Sequence, residues 1–182
     1  MAKATPKVRV ATIWLSGCSG CHMSFLDQDE ALIDLAQQIQ LVYSPIVDVK
    51  VFPENVDVTL VEGAVANEDQ EELLKDARTK TKILISLGDC AVTGNVTGLR
   101  NSFSPSVDAV LNRAYVETVD ENPQLPTEDL PALLPKALPL HEVVKVDFYI
   151  PGCPPPAGLI NWVISRLMRG LPVNMEGKSK FG

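Results

Sequence analysis

The chain has 182 residues, long enough for one well-buried domain and too short for two ordinary ones. Its 46% hydrophobic and 21% charged residues suit a soluble globular fold and exclude a disordered chain. A formal net charge of -7 speaks against nucleic-acid binding, which needs clustered Lys and Arg to neutralise phosphates.

At the N-terminus, Met1 to Val10 sets basic residues before an apolar stretch, and Leu15-Ser16-Gly17-Cys18 resembles a bacterial lipoprotein cleavage box. Arg9 interrupts the stretch, leaving only Val10 to Leu15 uncharged, short of the roughly 7–15 residues of a signal core. Val8 to Leu15 therefore reads as a buried strand ending at the Ser16-Gly17 turn. No run approaches transmembrane length, so a cytoplasmic protein is expected, where cysteines point to metal or redox chemistry before disulfides.

His22 to Gln40 places Phe25, Leu32, Leu35, Ala36 and Ile39 at helical spacing, with Asp27, Asp29 and Glu30 between them, and predicts one helix. Val47 to Phe52 reads as a short strand or β-arm stopped by Pro53, and Val56 to Val61 as the second core strand, ending at Glu62-Gly63. A helix is expected from about Glu68 to Lys80, acidic at its start and basic at its end as the helix dipole favours. Lys82 to Leu87 and Val146 to Ile150 are the next strands, and Ala157 to Arg169 the last helix, stopped by Gly170 and Pro172.

Strands alternating with helices predict one α/β domain over residues 1–182, a flavodoxin-like, doubly wound and mostly parallel sheet. A Pro-rich insertion, about residues 102–144, precedes the last strand. Its six prolines, Pro105 to Pro139, argue against a regular helix or central strand. Leu130-Pro131-Ala132-Leu133-Leu134 implies packing, either on the chain's own sheet or on a partner subunit.

Every cysteine follows an apolar run. Cys18 and Cys21 come after the first strand, Cys90 after Lys82 to Leu87, and Cys153 after Val146 to Ile150. In a parallel sheet these ends share the edge where ligands bind, so all four thiols can converge there. Cys18-Ser19-Gly20-Cys21-His22 fits a c-type haem pattern, but haem attachment needs export and leaves Cys90 and Cys153 unexplained. A thioredoxin-like dithiol explains the strand-to-helix position of Cys18 and Cys21 but not the other two. Structural zinc more often pairs two close Cys-x-x-Cys knuckles, whereas here one pair is close and two ligands are distant.

An iron–sulfur cube suits scattered ligands better. Gly17, Gly20, Gly88 and Gly152 would let backbone N–H groups approach the sulfides, and Pro154, Pro155 and Pro156 would stiffen the wall beside Cys153. The bland alternative is four buried free cysteines acting as small apolar residues. No Gly-x-Gly-x-x-Gly or P-loop motif occurs, and neither His22 nor His141 has an evident triad around it. Glu62 and Asp89 sit near the cysteine edge, where they would relay protons, tune a cluster or simply cap turns.

Gly17-Cys18-Ser19-Gly20-Cys21-His22-Met23-Ser24-Phe25-Leu26-Asp27, Gly88-Asp89-Cys90-Ala91 and Pro151-Gly152-Cys153-Pro154-Pro155 together resemble the small subunit of nickel-iron hydrogenases. That family extends to the cluster-bearing 20 kDa subunit of respiratory complex I, which carries adjacent cysteines at the first motif. Within it the chain looks most like the small subunit of the cytoplasmic, bidirectional NAD-reducing enzyme. The resemblance implies one [4Fe-4S] cluster on Cys18, Cys21, Cys90 and Cys153, beside a nickel-iron centre in a large-subunit partner. It implies an enzyme subunit without catalytic residues of its own, in the reaction H2 + NAD+ = NADH + H+. Electrons would pass on to a diaphorase partner carrying FMN, iron–sulfur clusters and NAD, with no membrane or nucleic-acid partner. With no further cluster motif before Gly182, direct transfer between two partner subunits is expected. Uptake hydrogenases have a glutamate where this chain has Met23, which puts any proton route through that carboxylate in doubt. The alternatives are the small subunit of another cytoplasmic nickel-iron hydrogenase with a different acceptor, and a thiol-disulfide oxidoreductase using Cys18 and Cys21.

Overall fold

In the computed structural model, which describes residues 7–103 and 105–181, the first apolar run forms β1 (Val8–Trp14). The basic residues at the start of the chain, 1–6, lie outside the described residues. After β1 the chain forms α1 (Gly20–Leu26), α2 (Ala31–Gln38), β2 (Ile39–Tyr43), β3 (Val56–Glu62), β4 (Val65–Asn67), α3 (Glu68–Lys80) and β5 (Thr81–Leu87). Two short helices follow, α4 (Asp89–Thr93) and α5 (Asn95–Gly98), then α6 (Ser106–Asn112), β6 (Leu133–Leu138), β7 (Phe148–Ile150) and α7 (Ala157–Met168).

Five strands pair in parallel in the order β2-β1-β3-β5-β7. Counting these strands alone, the order is second, first, third, fourth, fifth, which is the flavodoxin-like winding expected from the sequence. β3 is buried along nearly its whole length because both of its faces are covered. Val61, with Ala11 and Ile13, meets Leu74 and Ala77 of α3 on one face, and Val58 and Leu60 meet Ile160, Val163 and Ile164 of α7 on the other. The i, i+3, i+4 spacing of the last three gives α7 a single apolar stripe. Full burial of one such side chain contributes about 1.5–3 kcal/mol, so this two-sided core holds the strand ends, and the loops beyond them, in fixed relative positions.

Three expectations change. The helix expected over His22 to Gln40 is two helices and the start of a strand. Asp29 takes a left-handed φ of 51°, which cannot continue a helix, and the buried Gln28 side chain donates to the Phe25 carbonyl at 2.9 Å, closing α1. Ile39 then turns directly into the edge strand β2, with no Gly or Pro to mark the change. Val47 to Phe52 forms no strand in this structure, although Phe52 itself is a core residue packed on Tyr43.

The insertion is also more ordered than its prolines suggest. Pro105 immediately precedes α6, where its missing N–H costs nothing, and α6 runs on into a π turn over Arg113–Glu117. β6 carries Pro135 and pairs antiparallel with β4 in a separate two-stranded sheet, an edge position that tolerates proline. Arg100 donates to the Ala66 and Leu134 carbonyls, and the Asn101 side chain both donates to and accepts from the Ala137 backbone at 2.8 Å. Leu140 enters the main core and Leu134 packs against it, whereas Leu130 is exposed. The returning half of the insertion thus covers the chain's own fold.

Candidate metal centre

The carboxyl ends of β1, β3, β5 and β7 lie side by side, and the four cysteines lie on loops and helix starts just beyond three of them. Cys18 precedes α1, Cys21 sits in its first turn, Cys90 lies in α4 directly after β5, and Cys153 lies between β7 and α7. All four are free thiols. Cys21 is buried, Cys90 half-buried, and Cys18 and Cys153 exposed, so the site opens to the surface.

Hydrogen bonds tie these loops to one another. The Gly88 N–H donates to Ile150 O and the Asp89 N–H to Gly152 O, while Asp89 Oδ1 accepts from the Gly152 N–H at 2.6 Å. The Cys90 and Cys153 loops are therefore joined by a reciprocal pair. Ser24 Oγ in α1 donates to Pro155 O at 2.5 Å, which fastens the first motif to the proline run after Cys153. Thr97 Oγ1 donates to Ser16 O, and Thr97 also hydrogen-bonds to the Cys90 sulfur.

Two glycines are demanded by this packing. Gly88 has φ of 82°, and a Cβ there would lie 2.2 Å from Cys21 Sγ. Gly152 has φ of 139°, and its Cβ would meet Pro155 Cα at 2.6 Å. Only glycine fits at either place.

The thiols act on one another electrostatically. Burial first, then the Glu62 charge and the other three cysteines, push the Cys21 thiol far above its ordinary value. Burial raises that of Cys90 as well, opposed by the hydrogen bond from Thr97 and reinforced by Cys153 and Cys18. Thiols that resist ionisation, as Cys21 and Cys90 do, are stabilised as thiolates by a bound cationic centre. Among the described residues, no three His, Cys, Asp or Glu meet tightly enough to hold a single metal ion. A single zinc needs all its sulfurs about 2.3 Å from one point. The cube of an iron–sulfur cluster instead takes one thiolate at each iron, so its ligands stand apart at separate corners. The donor set and the close approach at Gly88 fit such a group.

Around the cysteines the structure adds pairings that the sequence did not show. His22 is buried, its N–H donates to Glu62 Oε2 at 2.8 Å, and its Nδ1 lies 2.5 Å from the same oxygen. Trp14 stacks edge-on against the His22 ring at 5.0 Å, and His22 Nε2 has no partner among the described residues. Ser24 and Thr97 carried no motif signal, because their roles depend on residues far away in the chain. Met23 is exposed, and His141 lies edge-on to Tyr149, away from any triad.

The chain matches the family described as "NADH ubiquinone oxidoreductase, 20 Kd subunit" over residues 18–167, a span that contains all four cysteines. It belongs to that family. The chain is 41% identical over 174 residues to the NAD-reducing hydrogenase HoxS subunit delta of Cupriavidus necator, covering 93% of this chain and 82% of that protein. It is 38% identical over 175 residues to a subunit of the F420-non-reducing hydrogenase of Methanothermobacter marburgensis, covering 93% of this chain but 56% of that relative. A crystal structure of an NAD+-reducing [NiFe]-hydrogenase in the H2-reduced state superposes with a TM-score of 0.88 at 36% identity, over 93% of this chain and 95% of that one. The recombinant [NiFeSe] hydrogenase of Desulfovibrio vulgaris Hildenborough shares the fold, with a TM-score of 0.61 at 16% identity over 91% of this chain and 60% of that one. The chain is thus homologous to a subunit of an NAD-reducing nickel-iron hydrogenase, an oxidoreductase complex. No helix among the described residues is long and apolar enough to cross a membrane.

Proposed function

We propose that the chain is the electron-transfer small subunit of a cytoplasmic, NAD-reducing nickel-iron hydrogenase, with Cys18, Cys21, Cys90 and Cys153 holding one [4Fe-4S] cluster. The observation that carries this reading is the placement of four free thiols, on three loops distant in sequence, beyond neighbouring strand ends at one open edge of the sheet. When bound, the cluster supplies one-electron storage between a hydrogen-splitting nickel-iron centre in a large subunit and a diaphorase carrying FMN and NAD. The protein's part is to hold the thiolates rigidly and to leave one side open to partners. The Asp89–Gly152 pair and the Ser24–Pro155 bond do the first, and the exposure of Cys18 and Cys153 does the second. With Met23 in place of a carboxylate, the chain offers no proton carrier at that position.

The test is an anaerobic preparation of this chain with its large partner. Wild-type protein is expected to show broad brown absorption that bleaches on reduction, and each Cys→Ser variant to lose one cluster's complement of iron and acid-labile sulfide. A thiol-disulfide oxidoreductase would depend on Cys18 and Cys21 alone, so Cys90→Ser and Cys153→Ser variants with unchanged metal and activity would sink the cluster reading.

A further inference from the structure

Glu62 closes β3 at the edge that carries the cysteines and is only 2% exposed. Its Oε2 faces both the backbone N–H and the Nδ1 of His22, the residue next to Cys21. A hydrogen bond to a carboxylate oxygen is stronger than one to a neutral acceptor, and one here comes from the backbone N–H of His22. Its other oxygen lies 3.8 Å from where a Cβ on Gly17 would stand, beside Cys18. Among the described residues its side-chain partner is the His22 imidazole, and no Lys or Arg reaches it. The carboxylate is therefore fixed against the first motif, beside the residues that adjoin Cys18 and Cys21.

We infer that Glu62 is a built-in negative charge that lowers the reduction potential of the group held by Cys18, Cys21, Cys90 and Cys153, with His22 as the positioning residue that keeps it there. The inference rests on the cluster reading above. Reduction adds an electron, so a fixed anion nearby favours the oxidised state, and a buried one is little screened by salt. The hydrogen bond to the His22 backbone fixes the carboxylate relative to α1, and hence to Cys21 itself. Potentials in such sites respond to local charge and second-layer hydrogen bonds, which are the two quantities this pair controls.

The experiment is a spectroscopic redox titration of the anaerobically purified assembly of this chain with its large partner, beside iron and sulfide analysis. Glu62→Gln keeps the shape and removes the charge. At the wild-type midpoint it is expected to raise the reduced-to-oxidised ratio roughly tenfold, an upward shift of about 59 mV for a one-electron couple. Glu62→Asp restores the charge and is expected to return most of that shift. His22→Ala leaves the carboxylate in place and is expected not to raise the midpoint. An unmoved midpoint in a Glu62→Gln protein with full iron and sulfide overturns the inference. So does an equal rise in Glu62→Gln and His22→Ala, which would mark a packing effect, and so does a Glu62→Gln protein that cannot retain the group. Wild-type protein without iron and sulfide in this chain overturns the cluster reading instead.

Discussion

At Gly88 the backbone turns through φ of 82° with the Cys21 sulfur occupying the space a side chain would need. A methyl group there must displace either the thiol or the loop that ties Cys90 to Cys153. Gly88→Ala is therefore expected to abolish retention of iron and acid-labile sulfide, measured on the anaerobic assembly, while the sheet itself still forms. The cysteines were legible because their chemistry and spacing are written in neighbouring residues. Their supporting partners were not. Ser24 meets Pro155 across 131 positions of sequence, and His22 meets Glu62 across 40, separations over which no local pattern speaks.

Individual elements carry their own tests. Asn67 caps α3 by accepting from the Gln70 N–H at 2.9 Å, and Gln70 Oε1 accepts in turn from the Ala66 N–H and from Ser16 Oγ. This cap links the start of α3 to the loop before Cys18. Asn67→Ala is expected to cost about 1 kcal/mol of stability in urea unfolding. Asp147 fastens β7 to β5, accepting from the Leu84 N–H at 2.9 Å and from Arg78 Nη1 at 2.6 Å. Burial pushes its carboxyl upward, but those two bonds and the Arg78 charge outweigh burial and hold it below the ordinary value. A lowered folded pKa means that the stabilisation is complete above the unfolded value of about 3.9 and is lost as the pH falls through the folded one. Asp147→Asn is therefore expected to cost about 2 kcal/mol at pH 7. The urea midpoints of variant and wild type should converge below about pH 4. The helices α3 and α7 and the central strands followed from periodicity, capping residues and β-branched runs. β2 did not, because Ile39 continues the helical spacing of Leu35 and Ala36 until tertiary pairing with Val8 draws it into the sheet.

On the proposed reading, the centre that splits hydrogen lies in the large partner. Isolated chain is accordingly expected to show no hydrogen-dependent dye reduction, with activity appearing only when the large partner is added. A hydrogen-oxidising preparation of the chain alone would contradict the subunit reading. The sequence by itself determined the α/β class, the edge on which the cysteines fall and the family, because strand and helix periods and the three cysteine motifs are local patterns. Only the tertiary structure decided which glycines must stay bare, which carboxylate is buried against His22 and how the proline-rich segment returns onto β4. Those depend on packing between residues distant in the chain, where burial and fixed hydrogen-bond geometry, rather than spacing, set the outcome. For the four cysteines the structure therefore gave Glu62, already near their edge in the sequence, a buried and fixed place against His22.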